Sequence, residues 1–287
     1  MSQTLNTNIV STNAQRNLSR SQTQLSSAME RLSSGLRVNS AKDDAAGLAI
    51  AERMDTQVRG MTVAGRNAND AISLSQTAEG ALGSVSNLFQ RMRELAVQSA
   101  NSTNSAADRT SLNQEFLQLS QEATRTLGGT QFNGQNVLAT TNDSTFQIGA
   151  NNATDIDRLT VAAFNWTDNT SITTVLGTAI LSGTNVPTVQ VTDAASAQSA
   201  ISSLDTAIDA INSQRAVFGA VQNRFTNVVA NLQVGVENQA AARSRIMDAD
   251  YASETANLSR ANILQQAGNA MVAQANQLPQ QVLALLR

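Results

Sequence analysis

The chain of 287 residues contains no cysteine and no histidine, two prolines, one lysine, one tryptophan and one tyrosine. Each shortage closes off a class of chemistry or architecture. Without cysteine there is no disulfide framework and no thiolate nucleophile, without histidine no Ser/His/Asp triad, and without both no zinc site of the usual nitrogen and sulfur kind. Any catalysis would have to come from carboxylates or from Lys42, since every other basic side chain is arginine. Charged residues are 14% of the chain and aromatic residues 3%, against about 25% charged in ordinary domains. Trp166, Tyr251 and seven phenylalanines supply little bulk for a thick core, because aromatic side chains dominate core burial in most domains. A thin or elongated fold is therefore expected in place of the pair of globules that the length alone would permit. The formal charge of −3 and a pI near 5.0 leave no basic footprint for nucleic acid.

Scarce proline, at 187 and 279 only, lets apolar periodicity run far. Leu18, Leu25 and Leu32 stand seven residues apart, with Ala28, Met29 and Leu36 at the alternate spacing, which is a coiled-coil seam ending near Gly35. The linker RVNSAKDDAAG follows, where Ser40, Asp43 and Asp44 offer capping side chains for a new helix. That second helix carries a seven-residue line through Met54, Met61, Ala68, Ser75, Leu82, Phe89 and Ala96. Its flanking line of Ala51, Val58, Gly65 and Ile72 shifts by one position to Ala78, Val85 and Met92, a stutter near Gly80. Continuous from 44 to 100, it would be about 85 Å long and would need neighbours along its length. A third helix is expected to open at NSTNSAAD, to carry Leu112, Phe116, Leu119 and Ala123, and to close with Gly128 and Gly129 as its cap.

The period then changes to two. FNGQNVLA and the pairs Phe146/Ile148 and Leu159/Val161 read as one or two hairpins with Asn and Gly at the bends. From 162 to about 190 the signal is weak and Thr-rich, as in a surface insertion. Helix returns after Thr192 and Asp193, with Ile201, Ile208, Val229 and Val236 on one line and Leu204, Ile211, Phe218, Phe225 and Leu232 on the next. Arg215 and Gln222 interrupt the first line and read as a solvated or hydrogen-bonded seam position that fixes register. After a break between 244 and 250, a last helix sets Leu264, Met271, Leu278 and Leu285 seven apart beside Ala261, Gly268, Ala275 and Val282. Pro279 inside it should kink it or begin a final turn.

The fold class that follows is mainly α, an elongated coiled-coil or helical bundle with a small β-hairpin region in the middle. Residues 1–40 and 245–287 form a terminal coiled-coil domain, 41–140 and 190–244 a long-helix bundle, and 141–189 the hairpin with a variable surface insertion. Leu18, Leu25, Leu32, Leu264, Met271, Leu278 and Leu285 are the candidate self-assembly seams. Flanked by Asn, Gln, Ser and Thr, each terminal seam is too narrow to offset its own ordering entropy, so the ends are expected to order mainly when other subunits surround them. The first 15 residues carry no positive charge and are too polar for a secretory signal, and no stretch reaches the roughly 18 apolar residues of a spanning helix.

Several motifs in order carry a family likeness: SSGLRVNSAKDDAAGLAIAERM at 33–54, RELAVQSANST at 93–103, TQFNG at 130–134 and ANQLPQQVLALLR at 275–287. They resemble bacterial flagellin over about 1–150 and 190–287, in a short form without the large outer domains that longer members insert in the middle. The resemblance implies a structural subunit that self-assembles into the hollow helical propeller filament, with terminal helices as an inner tube and long helices around it. It further implies an extracellular filament location, unfolded export through the flagellar type III channel without a cleaved signal, and no cofactor. The implied partners are other copies of the chain, an export chaperone, the filament cap and hook-filament junction proteins, and host flagellin-sensing receptors. A hook-filament junction protein is the alternative, since it shares helical termini.

By the same resemblance, LFQRMRELAVQ at 88–98 is similar to the segment sensed by the vertebrate Toll-like receptor for flagellin, which points to Gln90, Arg91 and Leu95, with Glu115 on the neighbouring helix. Leu285, Leu286 and Arg287 resemble the tail read by intracellular sensors. Thr167, Thr170, Ser171 and Thr173 are candidates for O-glycosylation, the usual modification in this family, while NWT at 165–167 and NTS at 169–171 are weak N-glycosylation patterns. The acid pairs Asp43/Asp44, Asp155/Asp157 and Asp248/Asp250 lack surrounding groups for acid-base or metal chemistry and read as caps and bend residues. No enzyme is expected, and the zinc protease that some flagellins carry in the middle is excluded because its H-E-x-x-H site needs histidine.

Overall fold

The computed structural model of the chain describes residues 7–153, 156–177 and 189–285, with side chains described through 277 at the C-terminal end. Its main elements are the helices α1 (Ile9–Ser34), α2 (Ala45–Ala100), α3 (Ala106–Gly129), α4 (Thr170–Leu176), α5 (Ala194–Met247) and α6 (Tyr251–Leu285). Between α3 and α4 lie β1 (Gln131–Phe132), β2 (Gln135–Asn136), β3 (Ser144–Gln147), β4 (Arg158–Val161) and a 3₁₀ turn at Trp166–Asp168. The fold is helical with two small antiparallel strand pairs, β1 with β2 and β3 with β4. The chain divides into two compact units, a terminal one of Met1–Thr56 with Glu237–Arg287 and a central one of Gln57–Val236.

Side-chain capping sets most helix starts. The Asn8 Oδ1 accepts from the Ser11 N–H at the head of α1, and the Asp44 Oδ1 accepts from the Gly47 N–H at the head of α2. Ser105 and Asp108 form a reciprocal capping box on α3. The Asp193 Oδ1 takes the N–H groups of Ala195 and Ser196 on α5, and the Asp250 Oδ1 takes that of Ala252 on α6. At its C-terminus α1 ends on Gly35 in the left-handed region, φ 73°, whose N–H returns to the Arg31 carbonyl at 2.8 Å. The expected glycine stop of α3 is different: Gly128 and Gly129 lie inside the helix, and Thr130, in extended conformation, is the cap. α6 runs on through Pro279 to Leu285, so the proline begins no separate turn.

In the central unit the seven-residue line of α2 is fully buried from Ala68 through Ser75, Leu82, Phe89 and Ala96, and the shifted line of Ala78, Val85 and Met92 is buried beside it. α5 meets this core with Leu204, Ile211, Phe218 and Phe225, and α3 with Phe116, Ala123 and Leu127. Asn133 (φ 51°) and Gly134 (φ 76°) form the two-residue turn between β1 and β2, a backbone that the Asn-Gly pair adopts with little strain. In the second pair Phe146 stands opposite Leu159, and Phe146 meets Phe225 edge to face at 5.7 Å.

Of the segment expected as a surface insertion, the described stretch from Phe164 to Leu176 packs inward instead. Trp166, Ile172, Val175 and Leu176 are completely buried in the same core, and the Trp166 backbone N–H donates to the Leu138 carbonyl at 3.2 Å. Threonine-rich composition hid a short helix whose apolar residues, at 172, 175 and 176, share one face. Beyond it, 178–188 lie outside the described residues. The interruption at Arg215 and Gln222 is a hydrogen-bonded seam. Gln222 Nε2 donates to Glu79 Oε2 at 2.9 Å, and the Arg215 guanidinium stands 4.0 Å from the other carboxylate oxygen.

The terminal unit pairs α1 with α6 in antiparallel fashion. Tyr251 Oη donates to the Leu32 carbonyl at 3.1 Å at one end, and Asn8 Nδ2 to the Ala275 carbonyl at 2.7 Å at the other. Between them α6 approaches closely at Gly268, where a Cβ would come within 3.1 Å of Leu18 Cδ1. A second cluster of Val38, Ala51 and Met247 lies beneath Leu36, Leu48 and Ile246. There the linker is tied to the end of α5 by the Arg37 N–H on the Met247 carbonyl at 2.6 Å.

Candidate assembly surface

The candidate seams divide by helix. Leu18, Leu25 and Leu32 on α1 are half-buried, whereas Leu264 and Met271 on α6 are exposed, Met271 to 62%. The side chains of Leu278 and Leu285, and residues 286–287, lie outside the described residues. α6 presents a different row to α1: Ala261 and Ala275 are buried, and Gly268 meets Leu18. Small residues thus make the intramolecular contact, leaving the larger Ile263, Leu264 and Met271 outward, with Ile9, Val10 and Met29 outward on α1. Of the exposed large apolar side chains among the described residues, eight belong to the terminal unit and five to the larger central one. Between residues 261 and 285 the sequence has no charged group, so burial of that stretch of α6 against a neighbour strands no ion and requires hydrogen-bond partners only for its Asn and Gln amides.

The receptor-like group lies on α2 and α3. Gln90, Arg91 and Glu115 are exposed, and Arg91 Nη2 and Nε both reach Glu115 Oε1, at 2.9 and 3.2 Å, while Nη1 meets Glu94 at 2.9 Å. The Glu94 and Glu115 carboxylates raise the Arg91 pKa further, by hydrogen bonds first and charge second. Leu95 requires a correction, because at 1% exposure it is part of the core and supports this surface from beneath. A neighbouring pair that the sequence reading missed is Arg93 with Asp205, Nε to Oδ1 at 2.6 Å, which ties α2 to α5. Also missed was the buried polar tie in which Ser99 Oγ donates to the Val191 carbonyl at 2.6 Å and the Val191 N–H donates to Asn113. Neither has a sequence signal, since both pairings join residues far apart in the chain.

The hydroxyl candidates differ in engagement. Thr167 Oγ1 donates to Asn165 Oδ1 and Thr173 Oγ1 to the Asn169 carbonyl, and with Ser171 both are half-buried, whereas Thr170 is exposed. Asn165 and Asn169 are occupied as caps of the 3₁₀ turn and of α4, which leaves neither sequon presented as a free side chain.

Most of the described members of the acid pairs accept backbone N–H groups. Asp43 accepts from the Ser40 and Asn39 N–H groups and the Ser40 hydroxyl, and the Ser40 backbone bond chiefly holds its pKa below the usual carboxylate range. Asp248 is not a cap, as its carboxylate accepts from Ser244 Oγ at 2.6 Å. Asp157 is buried and accepts from the Ala153 N–H, while its partner Asp155 lies outside the described residues. Among the described residues no three acid side chains cluster as a metal site requires, and no helix is long and apolar enough to cross a membrane. A concavity of about 660 Å³ between the hairpins is lined by Phe132, Phe146, Asn133, Gln135 and Asn142, with Asp143 its one carboxylate. A single carboxylate leaves no acid-base pair there.

The chain matches the bacterial flagellin N-terminal helical region over residues 5–143 and the bacterial flagellin C-terminal helical region over residues 201–286. It is 47% identical to flagellin of Halalkalibacterium halodurans, with 99% of each chain covered, and 40% identical to flagellin of Serratia marcescens, with 100% of each covered. Flagellin A of Vibrio cholerae is 35% identical, with 99% of each covered. A crystal structure of Bacillus cereus flagellin is 38% identical, with a TM-score of 0.48 over 62% of this chain and 94% of that one. Both ends of the chain, and the whole length of relatives from several genera, lead to one statement: this chain belongs to the bacterial flagellin family and is a structural subunit of the flagellar filament.

Proposed function

We propose that copies of this chain polymerise chiefly through the terminal unit, whose outward apolar side chains on α1 and α6 become the buried contacts between subunits. The observation that carries this reading is the exposure of Ile9, Val10, Ile263, Leu264 and Met271 on a helix pair whose own contact uses small residues. Large apolar side chains left outward on a helix pair fit an interaction surface, and a neighbouring copy covers these. The central unit, with a completed core, supplies the outer layer of the filament wall.

We further propose export without a cleaved signal, and transient partners in a chaperone, a filament cap and junction proteins, a reading that the family resemblance supports. Host receptors would read the exposed Gln90, Arg91 and Glu115, and Thr170 is the accessible hydroxyl for a glycan. The chain carries no catalytic activity in this reading.

The experiment is seeded polymerisation of the full chain beside a version lacking residues 261–287. The intact chain is expected to extend seeds and the truncated one to stay monomeric. Equal growth of the two would remove the terminal unit from the proposal. For the receptor surface, a reporter-cell assay with Arg91→Ala is expected to lose signal, and an unchanged response would remove that assignment.

A further inference from the structure

A proline inside a helix deprives one carbonyl of its donor, because residue i offers no N–H to the carbonyl of residue i−4. In α6 the proline is Pro279 and the orphaned acceptor is the Ala275 carbonyl. Ala275 is 2% exposed, so water gives that oxygen little relief. The replacement donor comes from the other end of the chain: Asn8 Nδ2 reaches the Ala275 carbonyl at 2.7 Å across 267 residues of sequence. The amide orientation is fixed, because Asn8 Oδ1 already accepts the Ser11 N–H as the cap of α1. Its nitrogen must then face away from the cap, toward α6. One turn along, Ser11 Oγ, itself 6% exposed, donates to Asn276 Oδ1 at 2.7 Å.

We infer that Asn8 is the positioning residue that sets the register of α1 against α6, and that Pro279 creates the acceptor which makes the position unique. Every other helical carbonyl in the interior of α6 has its own i+4 N–H, so a slip along the helix would leave Asn8 facing an oxygen already satisfied and Ala275 facing none. The same register brings Leu18 over Gly268, where an added Cβ would stand 3.1 Å from Leu18 Cδ1 and the leucine side chain would have to give way. Correct register then places Ile9 and Val10 of α1 and Met271 of α6 on the polymerising surface at fixed separation. Asn8 acts on assembly through α6 and touches no neighbouring subunit in this role.

The proposal rests on filament formation by this chain, and its test is arranged so that failure of polymerisation as such is a separate result. Critical concentrations for seeded growth are measured for the parent chain, Asn8→Ser, Asn8→Ala, Pro279→Ala and the Asn8→Ser/Pro279→Ala double variant. Serine keeps the cap on Ser11 but is too short to donate to α6. Asn8→Ser is expected to raise the critical concentration about tenfold, the order expected when one buried acceptor is left unpaired, and to fall with Asn8→Ala and not with the parent. With alanine at 279 an N–H serves the Ala275 carbonyl again, so the serine substitution should cost about twofold or less in that background. Equal cost of Asn8→Ser in both backgrounds, or growth of Asn8→Ser like the parent, would overturn the proposal. A general weakening of α1 would act alike in both backgrounds, whereas this coupling depends on Pro279.

Discussion

The central and terminal units are built from the same helical period and differ in what they bury. In the central unit the repeat of α2 finds α3, α5, both hairpins and α4 around it, and Leu82, Val85, Phe89 and Met92 are removed from solvent completely. In the terminal unit the repeat of α1 finds α6 and little else, and α1 fully buries only Ser11 and Ala28. Both helices are nevertheless formed in the single chain, so the missing element is side-chain burial and not secondary structure. A heptad line records which residues face a neighbour, and only the number of neighbours decides whether the line becomes a core. In the central unit the neighbours are supplied by the chain itself, and in the terminal unit the proposed assembly supplies them as other copies.

The strongest way to break this contrast is to truncate one apolar side chain in each unit. Phe89→Ala removes a completely buried ring and is expected to cost about 3–5 kcal/mol in denaturant unfolding of the monomer. Met271→Ala is expected to change monomer stability by no more than about 0.5 kcal/mol while raising the critical concentration for growth. If Met271→Ala destabilised the monomer as Phe89→Ala does, the terminal unit would own a core that its exposure denies.

A smaller effect is expected at the second hairpin. A Cβ on Gly149 would collide with the buried Asp157 carboxylate, so Gly149→Ala should cost about 1–3 kcal/mol of central-unit stability and should lower amide protection in β3 and β4. A melting curve superimposable on that of the parent would show that the loop relaxes freely.

Acid should act on caps in both units. The Asp108 pKa is depressed, first by the Ser105 hydroxyl and then by the Ser105 N–H, and that of Asp193 chiefly by the Ser196 N–H. Asp43 in the terminal unit is depressed likewise by Ser40. A carboxylate with a lowered folded-state pKa contributes stability that is fully present above its unfolded value and is lost as pH falls through the folded one. Hydrogen exchange at Ser105, Ser196 and Ser40 should therefore accelerate, beyond the intrinsic pH trend, as pH drops below about 4. Constant protection factors at those amides would contradict the assigned hydrogen bonds.

The smallest expected effect is a gain. Space for a Cβ is open at Gly80 and Gly83, both inside α2, so alanine at either should stabilise the monomer by about 0.5–1 kcal/mol. Destabilisation in a melting experiment would mean that the stutter near Gly80 needs the glycine backbone.

The long helices were legible in the sequence because their signals are local. The line from Ala68 to Ala96 repeats without interruption, Gly35 and Asp44 punctuate it, and Asn133-Gly134 names its own turn. Trp166 and the short α4 were not legible, because three buried residues in a seven-residue helix flanked by Thr and Ser give no repeat until the long helices receive them. Exposure was not legible either. Leu95 and Gln90 share one motif, and only the packing of the central unit buries the first and leaves the second outside. Nor could the seam positions of α6 declare which of two adjacent rows faces α1. Leu264 and Met271 are the larger and carry the stronger periodic signal, yet Ala261, Gly268 and Ala275 make the contact because two helices approach most closely over small side chains. The partner of Gln222 was equally hidden, since Glu79 lies on another helix, 143 positions away.

Hydrogen exchange followed by mass spectrometry on monomer and on assembled filament tests the contrast between the units most directly. The gain in protection on assembly should concentrate in α1 and α6, with the core stretches of α2 and α5, around Phe89 and Phe218, already protected in the monomer. A gain spread evenly over both units, or α1 and α6 as protected in the monomer as Phe89 and its neighbours, would contradict a terminal unit completed by other copies.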